Sequence, residues 1–75
     1  MENKHEICKR LLRTLKSTND FKNVMKIEYF YESPREQYVL VWYEVHRNWE
    51  KQKIDVSKHS GYSMMLEILN NIYLH

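Results

Sequence analysis

The chain has 75 residues, of which 43% are hydrophobic and 29% charged, and its formal net charge is +2. This length accommodates one small domain, residues 1–75, with a thin core, and the composition is that of an ordinary globular protein. Because acidic and basic residues are interspersed, the overall charge excludes a strongly basic protein that would bind nucleic acid through charge alone.

The single cysteine, Cys8, excludes an internal disulfide and predicts a reducing compartment, the cytoplasm. Residues 1–6 lack the apolar stretch of a signal peptide, and the longest apolar run, residues 38–43, is too short to cross a bilayer. We therefore expect no leader and no membrane segment. The chain also contains no alanine but many Lys, Asn, Ile and Tyr residues, a bias typical of an AT-rich genome such as that of a low-GC bacterium or its phage.

The pattern predicts a first helix over residues 2–17. Ile7, Leu11, Leu12 and Leu15 form one apolar stripe, with Cys8 on its flank. The turn-forming residues 17–20 then end the helix.

Alternating residues predict three strands, at 24–32, 38–45 and 49–56, with turns at 33–36 and 46–48. A two-residue turn at Arg47-Asn48 would place Val45 opposite Glu50 and Val41 opposite Ile54. We expect the following residues to face the core: Val39, Val41, Tyr43, Val45, Ile54 and Val56. The first hairpin is less determined, because an even loop at 33–36 would reverse the faces of the first strand. We choose the register that places Met25, Ile27 and Tyr29 inside.

A final helix is predicted over residues 62–74. Its apolar period comprises Tyr62, Met65, Leu66, Leu69, Ile72 and Tyr73, and Met64 and Ile68 widen the apolar arc. The predicted fold is therefore α+β with the order α-β-β-β-α, a three-stranded antiparallel meander packed by an N-terminal and a C-terminal helix.

This order of elements resembles that of the double-stranded RNA-binding domain. That family carries a Gly-Pro-x-His type signature in its first hairpin loop, where this chain has Ser33-Pro34-Arg35-Glu36. The family's second helix opens with a lysine cluster, whereas residues 57–61 here offer one lysine. The resemblance covers the order of elements only, and topology alone does not carry function.

The residue pattern predicts neither catalysis nor a metal or other cofactor site. His5 and Cys8 share one helix face, but a structural zinc site usually needs four ligands with paired short spacings. Cys8 lies beside the apolar stripe, where an inert thiol is expected. The chain has one glycine and therefore no glycine-rich phosphate loop. We expect a protein that is not an enzyme and has no evident small-molecule substrate.

The outward face of the predicted sheet is the candidate functional site. It comprises Phe30, Tyr38, Leu40, Trp42, Trp49, Lys51 and Lys53. If both helices cover the other face, this apolar patch needs a partner, most simply in a homodimer or with another protein. A single-stranded nucleic acid, stacked on the aromatic rings, is the alternative partner. If instead the helices pack on opposite faces, both sides of the central strand are core and no patch exists.

Overall fold

The computed structural model describes residues 3–21 and 23–74. Its elements are helix α1 (Lys4–Lys16), strands β1 (Val24–Ser33), β2 (Glu36–Val45) and β3 (Asn48–Asp55), and helix α2 (Gly61–Leu74). The strands form one antiparallel sheet in the order β1-β2-β3. The predicted α+β meander is therefore confirmed. Glu2, which falls in the predicted first helix, lies outside the described residues.

Helix α1 is bounded by side chains that suit its ends. The Asn3 side chain accepts a hydrogen bond from the Glu6 backbone N–H at 2.8 Å, which satisfies one of the free donors of the first turn. Arg13 and Lys16 lie in the last turn, where positive charge complements the helix dipole. The predicted apolar stripe is confirmed, since Ile7, Leu11 and Leu15 are buried and Leu12 is partly buried against the core. Cys8, expected on the flank of the stripe, is buried as well.

Both helices pack on the same face of the sheet. One continuous buried cluster joins residues of the two helices to inward residues of all three strands. It consists of Ile7, Cys8, Leu11, Leu15, Val24, Ile27, Val39, Val41, Tyr43, Ile54, Val56, Met64, Ile68 and Ile72. The arrangement with helices on opposite faces is therefore wrong, and within the described chain no helix covers the second face of the sheet.

Strand β1 keeps the chosen register over most of its length but bulges at both ends. Ile27 lies opposite Val41 and Tyr29 opposite Val39, so the predicted inward positions of Ile27 and Tyr29 are confirmed. The loop between β1 and β2 has two residues, and a register shift between Tyr31 and Ser33 restores the face that an even loop would have reversed.

The second shift in β1 changes one core position. The predicted inward placement of Met25 is wrong, because the bulge between Val24 and Lys26 makes Val24 the fully buried residue. Met25 is half-buried.

The hairpin between β2 and β3 turns at His46 and Arg47, whose φ angles are 50° and 70°. Two consecutive positive φ angles are those of a type I′ turn, which matches the twist of a two-residue hairpin. The predicted pairing of Val41 with Ile54 is wrong by two residues, since Ile54 lies opposite Val39. Because side chains alternate with period two, this shift leaves the predicted faces intact.

Helix α2 turns a different row of side chains to the core than the period predicts. Met64, Ile68 and Ile72 are buried, whereas Tyr62, Leu66 and Tyr73 are 70%, 50% and 77% exposed. The prediction that these last three pack on the sheet is wrong. Methionine and isoleucine have no polar atom to satisfy when buried, whereas each tyrosine hydroxyl stays in contact with water when its ring remains outside.

Candidate interaction face of the sheet

We call the uncovered side of the sheet the outer face. Strand β2 runs through its middle and contributes Glu36, Tyr38, Leu40, Trp42 and Glu44. Its neighbours contribute Lys26, Glu28 and Phe30 from β1 and Trp49, Lys51, Lys53 and Asp55 from β3. All seven residues predicted to form the candidate site thus lie on one surface. The alternation of the strands places them there, because every second residue of β2 faces the core.

The first aromatic cluster on this face joins Phe30 and Tyr38. The two residues lie directly opposite each other on β1 and β2, and their rings stack with centroids 5.1 Å apart at an interplanar angle of 17°. The Lys53 ammonium lies 4.4 Å from the centre of the Tyr38 ring, a cation–π distance. The lysine stem therefore covers part of the aromatic surface while its charge remains in solvent.

The second aromatic cluster joins Trp42 and Trp49, with ring centroids 6.3 Å apart and planes tilted by 55°. Lys51 lies opposite Trp42 in the sheet, and its ammonium is 5.5 Å from the ring centre. Trp49 is 55% exposed, which makes it the most accessible large apolar residue of the outer face. Leu40 lies between the two clusters along β2.

The indole N–H of Trp42 has no hydrogen-bond acceptor among the described residues, although its nitrogen is buried. Buried tryptophan N–H groups usually donate to an acceptor, because a buried N–H without a hydrogen bond costs about 1–3 kcal/mol. The Trp42 side chain is therefore packed at some energetic cost on a surface that no other element covers.

Carboxylates outnumber lysines on the outer face. Four carboxylates, Glu28, Glu36, Glu44 and Asp55, share it with three lysines, Lys26, Lys51 and Lys53. Lys26 and Glu28 form an ion pair at 3.1 Å.

Asp55 lies at the end of β3 and is held in its ionised form. Hydrogen bonds from the Ser57 hydroxyl and backbone N–H, at 2.6 and 2.9 Å, lower the pKa of Asp55. The Ser57 hydroxyl oxygen also accepts a hydrogen bond from the Gln37 backbone N–H at 2.9 Å, which ties the segment after β3 to the start of β2. The negative charge at this corner of the outer face is thus built into the fold.

Cys8, the candidate nucleophile of the sequence, is buried in the core. Burial of Cys8 raises the pKa of its thiol to about 11, so the thiol is protonated and inert at neutral pH. The exposed His5 ring packs edge-on against Tyr29 at 5.0 Å. His5 and Cys8 both line an open groove of about 660 Å³ between α1 and the free edge of β1. Within residues 3–21 and 23–74, no three His, Cys, Asp or Glu side chains group as metal ligands.

Helix α2 has an exposed apolar side that the helical period does not predict. Tyr62, Leu66 and Tyr73 fit the period of a core-facing row, yet they are exposed. The available signal was the composition of the helix, in which Glu67 is the one charged residue of residues 61–74. A helix apolar on nearly all sides has a second surface to bury.

Comparison with protein-family models, curated proteins and solved structures found no match to this chain. In the described part of the chain, neither helix has the length and apolar character needed to span a membrane.

Proposed function

We propose that the protein is not an enzyme and acts by binding another protein surface through the outer face of its sheet. The observation that carries this proposal is the pair of aromatic clusters on a face that no described element covers. Tryptophan, tyrosine and phenylalanine are the side chains that most often anchor protein interfaces, and contiguous apolar patches of this kind mark interaction sites.

The charge of the outer face favours a protein over a single-stranded nucleic acid. Stacking platforms for nucleic acid combine aromatic rings with a positively charged groove. Here four carboxylates outnumber the three lysines, and Lys51 and Lys53 already lie over the rings on which bases would stack. A protein surface can accept this mixed pattern of charges through complementary charges of its own.

The proposal includes the cellular setting. A lone, buried cysteine suits the reducing cytoplasm. The alanine-free composition supports a source in a low-GC bacterium or its phage. The partner at the outer face is then a cytoplasmic protein or a second copy of the chain.

Tryptophan emission provides a local test, because both tryptophans of the chain, Trp42 and Trp49, lie on the outer face. If a second copy covers this face, dilution should shift the emission to longer wavelength. If nucleic acid binds there, short single-stranded oligonucleotides at low salt should quench the emission. We expect neither effect when the partner is a different protein.

A matched pull-down tests for that different protein. Trp49→Glu places a charge in the outer face, and Tyr31→Glu makes the same kind of change at another exposed aromatic residue, which is 56% exposed and outside the outer face. Proteins retained from cytoplasmic extract by the wild type and Tyr31→Glu, but lost with Trp49→Glu, would support the proposal. Identical retention by all three, with unchanged emission in the other two assays, would refute it.

A further inference from the structure

Helix α2 carries a second apolar surface that the sheet does not use. Tyr62, Leu66, Leu69 and Tyr73 lie along it, and we call these four residues the α2 seam. Three of them are half to three-quarters exposed, and Leu69 is half-buried. The core-facing row of the same helix, Met64, Ile68 and Ile72, lies on the opposite side.

The spacing of the α2 seam is four, three and four residues. This alternation is the a/d pattern of a heptad, in which apolar residues recur every 3.5 residues and face a second helix. The surrounding fold offers no helix to receive it, because α1 packs on the sheet beside α2. The seam is therefore arranged for a helix from outside the chain.

The residues of the α2 seam can pair with the same residues of a second copy in one arrangement. In an antiparallel pair of α2 helices related by a two-fold axis, Leu66 lies beside the partner's Leu69, and Tyr62 lies beside the partner's Tyr73. The same axis generates both contacts twice, so every seam residue meets another. Isologous contacts of this kind are the commonest in soluble homo-oligomers.

Charge and area also favour a second copy. Glu67 is the one charged residue of α2, and it lies roughly 130° around the helix from the seam. Ser63 and Asn70, which flank the seam, are uncharged, so two copies meet without like-charge repulsion. From their exposed fractions, Tyr62, Leu66 and Tyr73 offer on the order of 500 Å² per copy. Two copies would bury about 1,000 Å², the lower limit of a specific interface.

We infer that the chain self-associates through the α2 seam as an antiparallel homodimer. This inference goes beyond the proposed function, since it uses the opposite side of the molecule and assigns the second copy to α2. The outer face of the sheet is then left for a different protein.

Size-exclusion chromatography with light scattering tests the inference with two matched variants. Leu66→Glu changes the α2 seam and Trp49→Glu changes the outer face, and both residues are at least half exposed, so the fold should survive, as circular dichroism will check. At high concentration we expect the wild type and Trp49→Glu to have twice the 9.3 kDa chain mass, and Leu66→Glu to be a monomer. A monomeric wild type, or a dimer lost in Trp49→Glu and kept in Leu66→Glu, would overturn the inference.

Mixing variants excludes a trivial loss through misfolding. Leu66→Lys should also be monomeric alone, but an equimolar mixture of Leu66→Glu and Leu66→Lys should regain the dimer mass, because the two copies of position 66 lie within one helical turn of each other across the two-fold axis and then carry opposite charges. If the mixture stays monomeric while both variants keep the wild-type circular dichroism spectrum, the seam is not the interface.

Cysteine cross-linking tests the antiparallel register. In a Cys8→Ala background, Tyr62→Cys chains mixed with Tyr73→Cys chains should oxidise mainly to mixed disulfide dimers. Disulfides formed mainly between identical chains would contradict the antiparallel arrangement.

Discussion

Raising the pH above 9 should destabilise the protein through Cys8. The thiol is 1% exposed, and burial raises its pKa from 9.0 to about 11. Below pH 9 the thiol is protonated in both the folded and the unfolded chain, so its contribution to stability is fully present. Between pH 9 and 11 the unfolded chain releases the proton and the folded chain keeps it, which favours unfolding.

The size of this effect follows from the two pKa values. At pH 10 the free energy of unfolding should fall by about 1.4 kcal/mol, and above pH 11 the loss should reach about 2.7 kcal/mol. These losses are large for a small domain, whose total stability is about 5–15 kcal/mol or less. Burial also raises the pKa of Tyr43 from 10.0 to about 12, which adds a loss of the same sign at higher pH.

Urea unfolding at pH 8 and pH 10 measures the change, with Cys8→Ala as the control. The variant has no thiol to ionise but keeps Tyr43, so its stability should fall less than that of the wild type by about 1.4 kcal/mol. Each protein is compared with itself, so the cost of the smaller side chain cancels. Equal losses in both proteins would refute the assignment of the pH dependence to a buried thiol.

Two substitutions test the backbone of the fold. Replacing His46-Arg47 by Asn-Gly should raise the free energy of unfolding by about 1 kcal/mol. Both positions have positive φ, which asparagine and glycine adopt at a lower energetic cost than histidine and arginine. An unchanged or lower stability in thermal unfolding would contradict the type I′ turn. Gly61→Ala places a β-carbon 2.6 Å from Ile7 Cδ1, the end of a side chain that can move aside, so it should destabilise by about 1 kcal/mol or less. Ile7→Val removes that atom, so a double-mutant cycle should show a coupling between the two sites, and strict additivity would contradict the contact.

The strand faces could be predicted from the sequence although the pairing could not. Alternation along β2 and β3 fixes which residues share a side, and an error of two residues in register preserves it. The bulges were not predictable, because a bulge depends on the twist and hydrogen bonding of the paired strands. The bulge near the start of β1 changed the fold only locally, since Val24 occupies the core position that was expected for Met25.

The orientation of α2 could not be predicted, because its sequence contains two apolar rows and either row could face the sheet. One apolar row, at residues 64, 68 and 72, meets the sheet, and another, at residues 62, 66, 69 and 73, has the spacing of a helix seam. Periodicity identifies apolar rows but does not say which one the same chain buries. Contact with α1 and the sheet decides between them, and these contacts join residues far apart in the sequence.

The two uncovered surfaces cannot both be self-association surfaces without a cost in specificity. If the outer face and the α2 seam each bound a second copy, every chain would have two interfaces, and such contacts extend into open polymers unless their axes close a ring. If the second copy binds only at α2, the assembly is a finite dimer with four layers, in the order sheet, helices, helices, sheet. The outer faces then point away from each other at opposite ends of the dimer, each with its own Trp42 and Trp49. Such a dimer presents two equivalent binding surfaces, so a partner with repeated sites would be held by both at once and bind more tightly than to either alone.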